Sequence, residues 1–247
     1  MKAMIFAAGL GTRLRPHTND RPKALVEVGG KTLLQHVIER LKNAGVSELI
    51  INVHHFADKV EKYLESKENF GLIIHISDER DLLLETGGGL KKARKYLDGN
   101  EPFIVHNTDI LSDFDLKEMY AKSLENQAIA TLAVRNRETS RYLLFSKKTK
   151  KLTGWKNIKT GEIKTARRAK NPLSLAFSGV SVLHPRIFDF MLEEEAFSII
   201  PVLLKAAKTE NIFSFQHDDS FWLDVGKLPA LAEAEAFLKK AKQIENG

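Results

Sequence analysis

Cysteine is absent from the 247-residue chain, so no disulfide framework is possible, and the composition suits a reducing compartment. Proline is scarce, with 7 against 15 glycines, and the chain is 43% hydrophobic and 28% charged. Those proportions exclude a collagen-like, disordered or repeat protein and describe an ordinary globular chain. Long hydrophobic runs are also missing, since the longest fall well short of the roughly 20 apolar residues a spanning helix needs. The N-terminus, Lys2 followed by a short apolar stretch, has no signal-peptide cleavage pattern. The expectation is a cytoplasmic protein with no membrane partner.

Negative charge is nearly absent from one segment. Between Lys147 and Lys170 ten Lys or Arg accompany a single acid, Glu162, a local balance of +9 in a chain of +6 overall, so the remainder carries about −3. The basicity therefore belongs to one region. It reads either as a solvated hairpin of Lys/Arg-rich strands or as a rim that attracts phosphorylated ligands. Neither aromatic interleaving nor zinc spacing accompanies it, so no nucleic-acid partner is expected.

Strand-like and helical patterns alternate through the first half. Met4 to Ala8, Leu49 to Val53, Leu72 to Ile76 and Phe103 to Val105 are short apolar runs, while Leu33 to Leu41 has helical apolar spacing. Such alternation predicts a mainly parallel sheet with helices on both faces. From Ala130 to Val134, Tyr142 to Phe145, Leu152 to Trp155 and Ser178 to Leu183, strands follow one another without a helix, which predicts an antiparallel extension. Helices return near Ile199 to Ala207 and Pro229 to Lys240. The reading is one Rossmann-like α/β domain over 1–247, with a basic hairpin-like insertion at 135–172.

The first strand runs into Gly9-Leu10-Gly11-Thr12-Arg13-Leu14-Arg15-Pro16. Glycines at a strand's carboxyl end allow positive φ and close approach of the backbone to a ligand, and successive N–H groups there can cradle phosphate oxygens. Leu14 stands at the third glycine position of a dinucleotide fingerprint, which excludes that motif. Gly29-Gly30-Lys31-Thr32 resembles the end of a P-loop, but Leu25 replaces its first glycine, leaving a turn before a helix. The long loop continues to Pro22-Lys23-Ala24-Leu25, so Arg13 and Lys23 offer fixed positive charge to a polyphosphate.

Asp109 follows the apolar strand Phe103-Ile104-Val105, at the end where open α/β sheets collect ligands. Asp224 lies in Trp222-Leu223-Asp224-Val225-Gly226. Two separated carboxylates meeting at one point would suit Mg²⁺, although either alone also reads as a turn or cap; Asp113 and Asp115 are better caps for the next helix. Glu85-Thr86-Gly87-Gly88-Gly89 opens a helix, either as a flexible entry or as a place where a flat base meets the backbone. His54-His55 lacks a third ligand at zinc spacing and reads as a polar loop. Trp155 and Trp222 read as packing residues, Trp222 shielding the neighbouring carboxylate.

Taken together, Gly9 to Thr18, Pro22 to Leu25, Leu84 to Gly89, Asn107-Thr108-Asp109, Phe177 to Pro185 and Trp222 to Gly226 resemble sugar-1-phosphate nucleotidyltransferases along nearly the whole chain. The short members without a β-helical extension are nearest, namely N-acetylmuramate 1-phosphate uridylyltransferases and mannose-1-phosphate guanylyltransferase-like proteins. The resemblance implies the nucleotide-diphospho-sugar transferase fold and a Mg²⁺-dependent transfer in which a nucleoside triphosphate and a sugar 1-phosphate give a nucleotide sugar and pyrophosphate. It implies that Arg13 holds the leaving pyrophosphate, Lys23 reaches the α-phosphate, and Ala8, Gly9, Gly11 and Thr12 hold the nucleotide. Glu85, Gly87 and Gly88 would form the base pocket, Asn107, Ser178 and Gly179 the sugar wall, and Asp109 and Asp224 the metal site.

The chain departs from that pattern twice. Arg167-Arg168-Ala169-Lys170-Asn171-Pro172 stands where longer members have Glu-Lys-Pro, whose Lys grips the sugar phosphate, and Thr108 stands where Gly is usual. Uridylyl transfer leads among the bases, then guanylyl, then cytidylyl transfer to a small phosphate such as phosphocholine. Two other readings are a nucleotide-binding regulatory domain without turnover and RNA binding by the basic segment. The chain is expected to be a monomer or a small homo-oligomer.

Overall fold

A computed structural model describes residues 1–245; residues 246 and 247 of the expected domain lie outside the described residues, as do the side chains of 240–245. The first strand, β1 (Lys2–Phe6), holds fully buried Ala3, Met4 and Ile5 and occupies the middle of a ten-stranded sheet. After the long loop, a small hairpin of β2 (Glu27–Val28) and β3 (Lys31–Thr32) turns through Gly29 and Gly30, both at positive φ, as the turn reading of this segment requires. Helix α1 (Leu33–Asn43) starts at Thr32, whose hydroxyl accepts from the Gln35 N–H at 3.0 Å. Its buried Leu34, Val37, Ile38 and Leu41 recur at helical spacing and seat it on the sheet.

Strand β4 (Glu48–Val53), helix α2 (Ala57–Ser66) and strand β5 (Ile73–Asp78) follow, and β1, β4 and β5 pair in parallel. The short helices α3 (Glu85–Lys92) and α4 (Arg94–Leu97) then carry the chain to β6 (Phe103–Asn107), which pairs in parallel with the opposite edge of β1. The strand order therefore reverses between β1 and β6, and in open sheets the ligand crevice lies outside the strand ends at such a reversal.

Beyond β6 come β7 (Ile110–Ser112), α5 (Leu116–Glu125) and β8 (Ala130–Arg135). Asp115 caps α5, accepting from the N–H groups of Lys117 and Glu118, whereas Asp113 accepts instead from the Phe221 N–H at 2.8 Å. The antiparallel extension is β9 (Arg141–Phe145), β10 (Leu152–Asn157) and β11 (Ile163–Thr165), and the Lys/Arg-rich segment forms the β10–β11 hairpin at the sheet edge. The long strand β12 (Leu173–Leu183) runs antiparallel to β9 with its first residues, then to β6 and β8 with its last. Helix α6 (Ile199–Ala206), strand β13 (Ile212–Gln216) beside β8, strand β14 (Trp222–Asp224) and helix α7 (Leu228–Glu245) complete the described chain.

Adjacent strand residues point to opposite faces, so Ile5, Leu49 and Ile51 join one core cluster with α1, α2 and α5, while Met4 and Ile50 join another with α3, α4 and α6. Both faces are covered, which is why these strands read as continuous apolar runs. A third cluster gathers Leu14, Val26 and Val28 of the N-terminal loop with Leu111, Leu223 and Val225, and so fastens the loop to β7 and β14. No described helix is long and apolar enough to cross a membrane. Replacing the fully buried Ile50 with Ala should cost about 2–5 kcal/mol in urea unfolding; a loss below about 1 kcal/mol would contradict a close-packed two-faced sheet.

Candidate active site

Past β1 the backbone bends out of the sheet, and the Ala7 N–H donates to Asn52 Oδ1 at 2.7 Å. Gly11 adopts φ 67°, and a Cβ there would stand 3.0 Å from both Lys23 Cβ and Thr18 Cγ2, so the loop folds tightly back upon itself. Thr18 Oγ1 closes the fold by donating to the Gly11 carbonyl at 2.9 Å. Lys23 begins a short turn over Lys23–Leu25 whose Ala24 and the following Val26 are buried. The Lys23 stem is thereby fixed.

From β6 the Thr108 N–H donates to the Phe6 carbonyl at 3.2 Å, so Asp109 emerges beside the end of β1. Strand β14 pairs with β7, setting Asp224 opposite Ile110, and the Val225 N–H donates to the Asp109 carbonyl at 2.8 Å. Backbone pairing thus brings two acids together that lie far apart in sequence. Lys23 Nζ makes an ion pair and hydrogen bond with Asp109 Oδ2. A Cβ placed on Gly226 would lie 2.7 Å from Asp224 Oδ1, 3.1 Å from Arg13 Nη2 and 3.2 Å from Lys23 Nζ. Arg13, Lys23, Asp109 and Asp224 therefore converge on one point, which the missing side chain of Gly226 leaves clear. Among the described residues no three His, Asp or Glu side chains are arranged to hold a metal by themselves.

Beside this point opens a cavity of about 450 Å³ at the carboxyl ends of the strands, lined by Ala8, Gly9, Lys23, Asn52, Glu79, Glu85, Thr86, Asn107, Thr108, Asp109 and Arg141 among others. Of the residues singled out in the sequence, Ala8, Gly9, Lys23, Glu85, Asn107 and Asp109 line it, whereas Gly11, Thr12, Arg13, Gly87, Gly88, Ser178, Gly179 and Asp224 do not; Arg13 and Asp224 stand at Gly226. Gly87 and Gly88 give their N–H groups to the Phe197 carbonyl at 2.7 and 3.1 Å, and a Cβ on Gly88 would lie 2.0 Å from the Glu195 carbonyl oxygen. These glycines admit the segment leading into α6. Gly179, at φ 78°, packs beneath Asn107, with its absent Cβ only 3.0 Å from Asn107 Nδ2.

Ser178 is fully buried and turned inward: its Oγ bonds His217 Nε2 at 2.7 Å, and its carbonyl accepts from Trp222 Nε1 at 2.9 Å. Burial, with Arg135 nearby, lowers the His217 imidazole to about 4. A similar device lies under Asn107. Fully buried His106 accepts from Arg40 Nη1 at 3.0 Å and bonds the Asn107 carbonyl at 2.8 Å, and burial with the Arg40 charge lowers it to about 3. Both rings are neutral props for the wall.

Asn52 and Glu79, which line the cavity, were not singled out in the sequence. Asn52 Nδ2 donates to Glu79 Oε1 at 2.8 Å, and Glu79 Oε2 accepts from the Leu84 N–H at 3.2 Å. Burial raises the Glu79 carboxyl. With the Ala7 N–H on Asn52, this chain of hydrogen bonds ties the loop after β1 to the entry of α3 across the cavity floor. A lone amide within Leu49-Ile50-Ile51-Asn52-Val53 was the available hint. Arg137 Nη2 reaches the Phe177 carbonyl at 3.2 Å and its guanidinium lies 4.5 Å over Trp222. Arg167, Arg168 and Lys170 line a different groove of about 590 Å³ with Thr153 and Thr165.

The model of the family described as nucleotidyl transferase matches residues 2–241. The chain belongs to the nucleotidyl transferase family. It is 57% identical to N-acetylmuramate alpha-1-phosphate uridylyltransferase of Caulobacter vibrioides over 109 residues, 43% of this chain and 45% of that protein. It is 34% identical to the Neisseria meningitidis serogroup B protein of that name over 96% of this chain and 97% of that one. Mannose-1-phosphate guanylyltransferase catalytic subunit beta of Dictyostelium discoideum is 31% identical over 92% of this chain, which spans only 61% of that relative. UDP-glucose pyrophosphorylase from Acinetobacter baumannii superimposes with a TM-score of 0.80 at 19% identity, covering 98% of this chain and 97% of that one. That likeness establishes the mixed, mainly parallel fold.

A pH dependence follows from His217. Its imidazole titrates near 6.5 when unfolded but at about 4 in the fold, so the unfolded chain binds the proton first. The stability gained from the neutral ring is present above about pH 6.5 and is lost as pH falls toward 4, by on the order of 1–3 kcal/mol. Urea titrations at pH 7 and 4.5 should show a smaller drop for His217→Gln than for the parent chain; equal drops would contradict a buried neutral imidazole.

Proposed function

We propose that this member of the family transfers a nucleotidyl group from a nucleoside triphosphate to a sugar 1-phosphate, releasing pyrophosphate, with uridylyl transfer first and guanylyl transfer second. The convergence of Arg13, Lys23, Asp109 and Asp224 around Gly226, at the mouth of the cavity, carries this reading. The uridylyl preference rests on the relatives named as uridylyltransferases, one of them aligned along nearly its whole length. The guanylyltransferase relative supports the second choice.

In such a transfer an oxygen of the sugar 1-phosphate attacks the α-phosphorus in line, the P–O bond to the β-phosphate breaks, and the electron pair leaves with pyrophosphate. Little covalent chemistry is asked of the protein, so position and charge dominate. Arg13, whose guanidinium has no ion pair among the described residues, would receive the leaving pyrophosphate. Lys23, released from Asp109 when phosphate arrives, would face the α-phosphate. The Ala8–Gly9 backbone would lie along the nucleotide and Glu85 beside the base, while Asn107, propped by His106, would face the sugar.

Asp109 and Asp224 fit Mg²⁺, because two carboxylates flanking a point now faced by an ammonium group supply hard oxygen donors and leave positions for phosphate oxygens and water. The bound ion would neutralise phosphate charge as it develops. A regulatory, non-catalytic domain would not need all four groups at one point.

A pyrophosphate-release screen of four triphosphates against a panel of sugar 1-phosphates tests the reading, with the strongest signal expected from UTP. Asp109→Ala and Lys23→Met should each lower turnover by on the order of 10²-fold or more while leaving the circular dichroism unchanged. Near-normal turnover at saturating Mg²⁺ would contradict these roles.

A further inference from the structure

The cavity contains a cation that the reading above leaves unused. Arg141 opens β9 and lines the cavity together with Asn107, Thr108 and Asp109. No hydrogen bond or ion pair involves its guanidinium among the described residues. Its backbone, in contrast, is held firmly. The Arg141 N–H donates to Thr139 Oγ1 at 3.4 Å, the Thr139 N–H donates to the Tyr142 hydroxyl at 3.1 Å, and the Ser140 carbonyl accepts from the Ile158 N–H at 2.9 Å. A charged side chain on a fixed backbone, facing a cavity and lacking a partner, is suited to an anion brought from outside.

The neighbouring cations are committed elsewhere. Lys23 is paired with Asp109, Arg137 donates to the Phe177 carbonyl and covers Trp222, and Arg13 lies at Gly226. The segment Arg167-Arg168-Ala169-Lys170, standing where longer family members place their sugar-phosphate lysine, lines the separate groove beyond β10. Resting on the nucleotidyl-transfer reading, we propose that Arg141 grips an oxyanion of the acceptor, so that the acceptor's charge is received by β9 and not by the segment ahead of β12. A guanidinium fork matches either oxyanion available on such an acceptor, the 1-phosphate itself or a carboxylate carried on the sugar ring. Asn107 and Thr108 line the same cavity beside Arg141.

Steady-state pyrophosphate release by the parent chain, Arg141→Gln and Arg141→Lys, with UTP and either N-acetylmuramate 1-phosphate or N-acetylglucosamine 1-phosphate, tests this. The two acceptors share the phosphate and differ by a carboxylate-bearing ether. Arg141→Gln should raise the acceptor KM roughly 10- to 100-fold with the UTP KM unchanged, and Arg141→Lys should recover part of the loss. A rise for both acceptors assigns Arg141 to the phosphate, and a rise for N-acetylmuramate 1-phosphate alone assigns it to the carboxylate. An unchanged acceptor KM, or a rise confined to UTP, overturns the proposal while leaving the transferase reading intact. If the parent chain releases no pyrophosphate with any acceptor, that reading fails by itself. Calorimetric titration of N-acetylmuramate 1-phosphate into parent and Arg141→Gln then decides the proposal, with equal or absent binding overturning it.

Discussion

The site depends on holding two carboxylates and two cations around a glycine. Asp109 and Asp224 would repel one another if brought together alone, since two like charges about 4 Å apart cost on the order of a kilocalorie or more. Lys23 relieves that repulsion by pairing with Asp109, and Arg13 adds a second positive charge at Gly226. Without ligand the two acids face two cations, Lys23 paired with Asp109 and Arg13 beside Gly226 with no ion pair among the described residues. The backbone sets the geometry, through the β7–β14 pairing and the bond from the Val225 N–H to the Asp109 carbonyl. The charges themselves need contribute little to stability.

Around that point the fold divides its labour. Buried strands on two packed faces fix where β1 and β6 end, and the cluster of Leu14, Val26, Val28, Leu223 and Val225 fixes the loop that leaves β1. Neutral histidines then carry the walls. His106 ties Arg40 to the Asn107 carbonyl, and His217 ties the Ser178 hydroxyl into the interior. Keeping both rings uncharged lets polar groups sit under the cavity without adding charge to a site that already handles several. The Asn52–Glu79 bond plays the matching part on the opposite side, linking the Ala7 N–H to Leu84.

Much of this was legible in the sequence because it is local or periodic. The apolar runs of β1, β4 and β6 are short and buried on both faces, the Gly9 to Pro16 loop announces itself by glycine and arginine at a strand end, and the Lys/Arg-rich segment is a hairpin at the edge. The pairing of Asp109 with Asp224 was legible only through family resemblance, since β7 and β14 are three residues each and leave no periodic trace. Ser178 turned inward for a reason no pattern reveals: the register of β12 against β8 shifts between Phe177 and Ser181, where Gly179 takes positive φ. Such a bulge redirects side chains by one position. Glu79 and Arg141 were invisible as single charged residues among many, and only their placement in the cavity distinguishes them.

Soaking crystals of the chain with Mn²⁺ and a non-hydrolysable UTP analogue and locating the ion by anomalous scattering tests the central convergence most directly. The account predicts one strong peak between the carboxylates of Asp109 and Asp224, with Lys23 Nζ moved from Asp109 onto a phosphate oxygen and Arg13 on the terminal phosphates. A nucleotide bound with its phosphates away from Gly226, or an ion ligated by neither acid, would contradict it.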